Sequence, residues 1–187
     1  MNTLQRGLAA TILASSLTGA WAQASPPSTT GDWQNSNPCP AWVAAEGGSG
    51  PGAEKRWDLT LSPYTLHWGG ESAEHKPVVL ASLDRALAGN RFCGMSLFSN
   101  SFGQPTAYVY GGQRWDNFMG QPQLFVKVTA GIFYGYVGKY KDKVPFNYNG
   151  FSPGIIPSIG YAFSTTNSAQ VLILGNAGLM FAYGQRF

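Results

Sequence analysis

From Trp57 to Phe187 the chain repeats one pattern eight times. A short run alternates apolar residues with polar or small ones, and Gly, Pro, Asn or Ser then closes it. A period of two is the signature of a β-strand with two unlike faces. The runs are Trp57–Trp68, Val78–Leu87, Phe92–Phe98, Thr106–Trp115, Leu124–Tyr136, Ile155–Phe163, Ala169–Leu174 and Leu179–Phe187. Pro63 and Pro157 interrupt two of them, which predicts gaps in the hydrogen-bond ladder. An even number of strands joined by alternately short and long connections predicts an up-and-down antiparallel barrel.

Composition decides what surrounds that barrel. Charged residues are only 11% and aromatics are 14%, well off the balance of an ordinary soluble domain. Residues 1–24 combine Arg6, an apolar run from Leu8 to Trp21 and Ala-x-Ala sites. That pattern predicts a secretory signal peptide and an exported chain. No later stretch offers the uninterrupted apolar residues of a membrane helix. Export, low charge and alternating strands predict an all-β fold, an eight-stranded antiparallel transmembrane β-barrel of the outer-membrane type. The expected location is the bacterial outer membrane. A secreted β-sandwich is the soluble alternative. Leu179, Phe181, Tyr183 and Phe187 share one face of the last strand, in the manner of bacterial outer-membrane barrels.

The expected organisation is a signal peptide over 1–24, a periplasmic arm over 25–56 and the barrel over 57–187. The arm is rich in Pro, Gly, Ser and Asn, with room for one short helix over Ala41–Ala45, and Trp33 and Trp42 suit a membrane interface. Cys39 and Cys93 either form a bridge, which an oxidising compartment permits, or are two small buried side chains. A net charge of +3 makes no case for nucleic acid.

The inward parity carries Met180, Ala182 and Gly184 on the last strand, and Phe125, Lys127, Thr129 and Phe133 on the fifth. The interior is therefore expected to be mostly small and apolar. It would be either packed or open to one hydrocarbon chain. With the arm in the periplasm, the outward loops are Gly69–Lys76, Ser99–Pro105, Val137–Pro153 and Gly175–Asn176. His67 and Ser101 then fall at the same rim. A hydroxyl needs a positioned base to react at neutral pH, and His is the usual one. The alternative for this region is a metal site built from His67, Glu71, Glu74 and His75, but the spacing matches no zinc motif. No GxSxG elbow is present, because Gly94-Met-Ser-Leu-Phe98 lacks the second Gly. No metal or other cofactor is expected.

Thr65-Leu-His67, Asn100-Ser101, the following Tyr-Gly-Gly and the closing strand ending in Phe resemble the outer-membrane lipid A palmitoyltransferases, the PagP type. The resemblance runs from about Trp57 to Phe187 and does not extend to the Gly/Pro-rich arm. It implies an eight-stranded barrel that moves a palmitoyl chain from a phospholipid donor to a hydroxyl of lipid A, acting as a monomer among membrane lipids. It implies His67 and Ser101 as catalytic residues. The family's Asp before the serine is Asn100 here, and an amide can orient an imidazole without balancing its charge. Gly112 matches the glycine at the floor of the acyl pocket. Pro63 and Pro157 resemble the prolines that open lateral gaps. Lys139, Lys141 and Lys143 in the longest outward loop are positioned to meet lipid A phosphates or to be plainly solvated. Three other readings stay open: a non-enzymatic lipid-binding or structural barrel, an acyl hydrolase, and a narrow pore, against which the apolar lumen counts.

Overall fold

A computed structural model describes residues 39–40, 57–68 and 76–187. The expected signal peptide, nearly all of the arm with its short helix, and His75, Glu71 and Glu74 lie outside the described residues. Eight antiparallel strands close on themselves in sequence order. They are β1 (Trp57–His67), β2 (Leu80–Ala86), β3 (Arg91–Ser99), β4 (Pro105–Asp116), β5 (Leu124–Tyr134), β6 (Phe151–Ala162), β7 (Asn167–Ile173) and β8 (Gly178–Arg186). Closure is made by β1 against β8, from Asp58↔Arg186 to His67↔Gly178. Trp57 and Phe187 exchange backbone hydrogen bonds of 3.1 and 3.0 Å at the end of that seam. We call this end the closing rim and the end bearing His67 the site rim.

The outer wall is what a hydrocarbon solvent requires. Leu61, Leu83, Met95, Leu97, Val109 and Ile132 point outward and are exposed. Aromatic residues flank this band, with Trp68, Phe146 and Tyr148 at the site rim and Trp115, Phe163 and Tyr183 toward the closing rim. An apolar belt between two aromatic girdles is the surface of a membrane-spanning barrel.

The strands differ from their sequence-based bounds by one or two residues at an end, and β6 by four at its start. β6 begins at Phe151, four residues before Ile155, because β5 pairs with it through Pro153 and Pro157 without interruption. Since β5 also ends two residues early, at Tyr134, the connection covers 135–150 and is about two residues shorter than expected. β2 begins at Leu80, because Val78 and Val79 have no β1 partner.

The ladders are incomplete in two places, both in the half nearer the site rim. β1 and β2 are paired only from Trp57↔Arg85 to Ser62↔Leu80, so Pro63 to His67 have no β2 partners among the described residues. On its other side β1 shifts register between Leu61 and Tyr64, where Ser62 Oγ donates to Phe181 O at 2.7 Å. β6 pairs with β7 only from Ser158 to Ala162, so Phe151 to Pro157 have no β7 partners, and Phe151 instead exchanges backbone hydrogen bonds with Tyr148. Pro63 and Pro157 thus each stand where a ladder stops, consistent with a residue that has no N–H to give.

The interior falls into three zones. Nearest the closing rim it is solid. The Phe92 ring lies where a side chain at Gly112 would be, and the Phe125 ring where one at Gly160 would be. The Arg114 guanidinium lies 3.6 Å from the Phe125 ring centre. The middle zone is polar, with Asp84, Lys127, Ser96 and Gln170 buried. The zone nearest the site rim is apolar, walled by Val78, Leu80, Phe98, Phe133 and Met180. The expectation of a small, apolar interior therefore holds for that zone and fails in the middle. The departure enters from several strands, with Ser82 and Asp84 on β2, Ser96 on β3, Lys127 on β5 and Gln170 on β7.

The two cysteines are bridged, with Cα atoms 5.7 Å apart. Cys93 has the opposite parity to the inward Phe92 and Gly94, so the bridge sits on the outside of the wall.

Candidate active site at one rim of the barrel

His67 is the last residue of β1, half-buried, and Ser101 opens the turn between β3 and β4. The turn carries the serine back over the barrel mouth, and His67 Nε2 lies 2.8 Å from Ser101 Oγ. The two residues come from different hairpins, 34 positions apart. At that distance Nε2 can accept the hydroxyl proton, which is the geometry a general base needs.

Asn100 has a different job from the one implied for it. It is 1% exposed. Its Oδ1 accepts from the backbone N–H of Phe102 and of Gln104, each at 3.0 Å. Its Nδ2 donates to Gly135 O at 3.3 Å and to Gln104 Oε1 at 3.4 Å. Both lone pairs of the amide oxygen are thereby used on the turn. Asn100 builds the loop that presents Ser101 and ties it to the end of β5, and the implied role of orienting the imidazole is replaced by this one. Lys76 N donates to Ser101 O at 2.7 Å, holding the serine's backbone from the β2 side.

The connection from β5 to β6 packs over the same turn. Gln104 Nε2 donates to Val137 O at 3.1 Å. Phe102 stacks on Tyr140 with ring centres 4.3 Å apart. Lys143 Nζ lies 5.6 Å from the Phe102 ring centre, and Lys139 Nζ 4.8 Å from that of Tyr140. Lys141 is exposed. Tyr136 lines the mouth beside Ser101, and burial pushes its phenol above the ordinary value, so it stays protonated.

Below the pair opens a cavity of about 340 Å³. Its apolar walls lead down to Asp84, Tyr110 and Lys127. Gly112 does not line this cavity. It faces inward but is covered by the Phe92 ring, one layer nearer the closing rim than Tyr110, as the pairs Gly94↔Tyr110 and Phe92↔Gly112 show. The expected floor residue is thus beneath the floor.

Sequence reasoning missed Gln104, Phe102, Tyr136 and the Asp84–Lys127 pair. Asp84 did carry a signal, because it keeps the parity of the inward Leu80 and Ser82. Nothing in the sequence marks Gln104, whose role depends on where the β5–β6 connection lies.

No family model matches the chain, and no curated protein matches it. Among solved structures, the chain is similar to a barrel described as "De novo design of transmembrane beta-barrels", with a TM-score of 0.52 and 14% identity over 71% of this chain and 96% of that one. That likeness establishes the fold, an eight-stranded barrel of the transmembrane kind.

Proposed function

We propose that this protein is an outer-membrane acyltransferase that moves a fatty acyl chain from a glycerophospholipid to a hydroxyl of lipid A. The observation that carries this reading is the His67–Ser101 contact of 2.8 Å directly above an apolar-walled cavity. Acyl exchange between two lipids needs a base, a hydroxyl, a dry slot for the chain and a way in from the bilayer. The unpaired half of β1 against β2 and of β6 against β7 supplies two lateral openings at the right depth. A pore is disfavoured by the packing of Phe92 and Phe125 across the lower lumen.

In this reading the donor chain enters through a lateral opening and its ester comes to rest at the rim. His67 Nε2 accepts the proton of the attacking hydroxyl, whether that hydroxyl is Ser101 Oγ or a lipid A hydroxyl that Ser101 orients. The proton then passes to the departing lysophospholipid alkoxide; where Ser101 attacked first, a lipid A hydroxyl next attacks the acyl-serine ester, giving its proton to His67, which returns it to Ser101 Oγ. Lys139, Lys141 and Lys143 offer positive charge beside the mouth for the phosphates of the acceptor.

Mass spectrometry of lipid A from cells with and without the gene tests the proposal. A mass gain of one acyl chain that depends on the gene and on His67 supports it. Loss of an acyl chain would indicate hydrolysis instead. No change in either lipid class would favour a non-enzymatic barrel.

A further inference from the structure

Among the described residues three tyrosines line the cavity, Tyr108, Tyr110 and Tyr136. Two of them use their hydroxyls on the wall. Tyr108 Oη donates to Gly154 O at 3.1 Å and lies 3.2 Å from Thr129 Oγ1. Tyr110 Oη donates to Asp84 Oδ1 at 2.6 Å. Tyr136, the one at the mouth, makes no hydrogen bond through its phenol to any described residue. Its raised pKa comes from burial alone, so the group stays an O–H donor.

What holds Tyr136 also holds Ser101. Three consecutive residues after β5 are each pinned through the backbone carbonyl. Gly135 O accepts from Asn100 Nδ2 at 3.3 Å, Tyr136 O from Asn147 Nδ2 at 2.8 Å, and Val137 O from Gln104 Nε2 at 3.1 Å. Asn100 precedes the serine and Gln104 closes its turn. The Tyr136 ring meets Phe102, the residue after Ser101, edge-on, with centres 6.5 Å apart and planes at 79°. On its other side it lies 6.0 Å from the Phe133 ring. The phenol is thus fixed relative to the serine before any substrate arrives, and both line one cavity. A developing oxyanion needs a donor of this kind, held in place and not committed to a protein acceptor, and such a donor counts most in a water-poor site.

We propose that Tyr136 is a further catalytic residue, the donor that holds the carbonyl oxygen of the acyl ester. When a hydroxyl oxygen bonds to the carbonyl carbon, the C=O electron pair moves onto the carbonyl oxygen. The Tyr136 O–H hydrogen-bonds to that oxygen and keeps its proton. The pair then returns as the alkoxide leaves, taking the proton that His67 accepted. The inference rests on the acyl-site reading of the cavity, and it holds for transfer to lipid A and for hydrolysis alike.

The first measurement needs no turnover. In a His67→Ala background held in bilayer discs, a saturated fatty acid methyl ester with an isotope-labelled carbonyl is added, and its C=O stretch is read by difference infrared spectroscopy against empty discs. A band at lower wavenumber than that of the ester in lipid is expected, and adding Tyr136→Phe should abolish it. Absence of that band, or its persistence in Tyr136→Phe, overturns the proposal. Loss of the band in Lys143→Gln with persistence in Tyr136→Phe also overturns it, by placing the donor on the lysine that shares the mouth. The second measurement is turnover. Tyr136→Phe keeps the ring between Phe102 and Phe133, so folding and the KM for the donor lipid should hold while kcat falls about a hundredfold, the scale of one lost oxyanion donor. A change in KM or stability with kcat intact overturns the proposal. A Tyr136-dependent band in a protein that releases fatty acid and leaves lipid A unchanged would uphold the donor and refute the acyltransferase. Lipid A acylation that is indifferent to Tyr136→Phe would do the reverse.

Discussion

Asn100→Asp separates the two roles that one position can have. The carboxylate would keep the bonds from the N–H groups of Phe102 and Gln104. It cannot donate, so Gly135 O and Gln104 Oε1 would each lose a partner and face negative charge. A buried acceptor left unsatisfied costs about 1–3 kcal/mol. The stronger bonds to the two N–H groups offset part of this. A net loss of about 1–2 kcal/mol is expected, concentrated in the turn that carries Ser101. Urea unfolding in lipid vesicles, followed by tryptophan fluorescence and gel mobility, reads the stability. Lipid A acylation per folded molecule, in the same preparations, reads the site. Activity should fall with Asp and fall further with Asn100→Ala, which also leaves two N–H groups without their acceptor. A variant with Asp that is as stable as the native chain and more active would refute the reasoning. It would mean that the side chain serves the imidazole, as the resemblance implies.

Other outcomes follow from the same geometry. His67→Ala and Ser101→Ala should each lower acylation about a hundredfold or more with folding intact, and the double variant should lose little further; intact acylation in both would remove the site assignment. Replacing Lys139, Lys141 and Lys143 together by Gln should weaken acylation of lipid A most at low salt, where unscreened charge counts; an effect independent of salt would mark them as loop packing. Cys93→Ser should destabilise the barrel by roughly 4 kcal/mol on a chain-entropy argument for a bridge spanning 54 positions, measured as a shift in the urea midpoint of oxidised protein; an unchanged midpoint would show that the bridge constrains only the arm.

The barrel was legible in the sequence because strand parity is a local signal. Most runs show two faces in their own residues, although Val171 to Leu174 in the seventh run are apolar on both, and the turn chemistry of Gly89-Asn90 and Gly175-Asn176 is local too. Strand ends were less legible. Pro153 reads as the end of a loop, yet it sits in β6, because a strand paired on one side only can give up N–H groups on the other, while Pro157 interrupts the ladder toward β7 as its place in the run suggests. The His67–Ser101 pair was legible as chemistry and topology together, since both residues fall at strand ends of one rim. The rest of the site was not. Asn100 looks the same in sequence whether it faces an imidazole or its own turn, and only the positions of Phe102, Gln104 and Gly135 decide. The buried contact of Asp84 with Lys127 and Tyr110 needed β2, β4 and β5 to be aligned in register, and register is not written in any one strand.

The two incomplete ladders divide the molecule by depth. Toward the closing rim every neighbouring pair of strands is joined, and rings and guanidinium groups fill the space between them. Toward the site rim, β1 and β6 each have one flank along which the neighbouring strand is not paired. Local opening free energies follow the density of such bonds and contacts. Amide protons near the site rim should therefore exchange with solvent by small local fluctuations, while those around Phe92 and Phe125 wait for the whole barrel to open. A wall that can breathe at one end without loosening the other lets a membrane barrel change its lipid contacts at the mouth, residue by residue, while the opposite end keeps the fold.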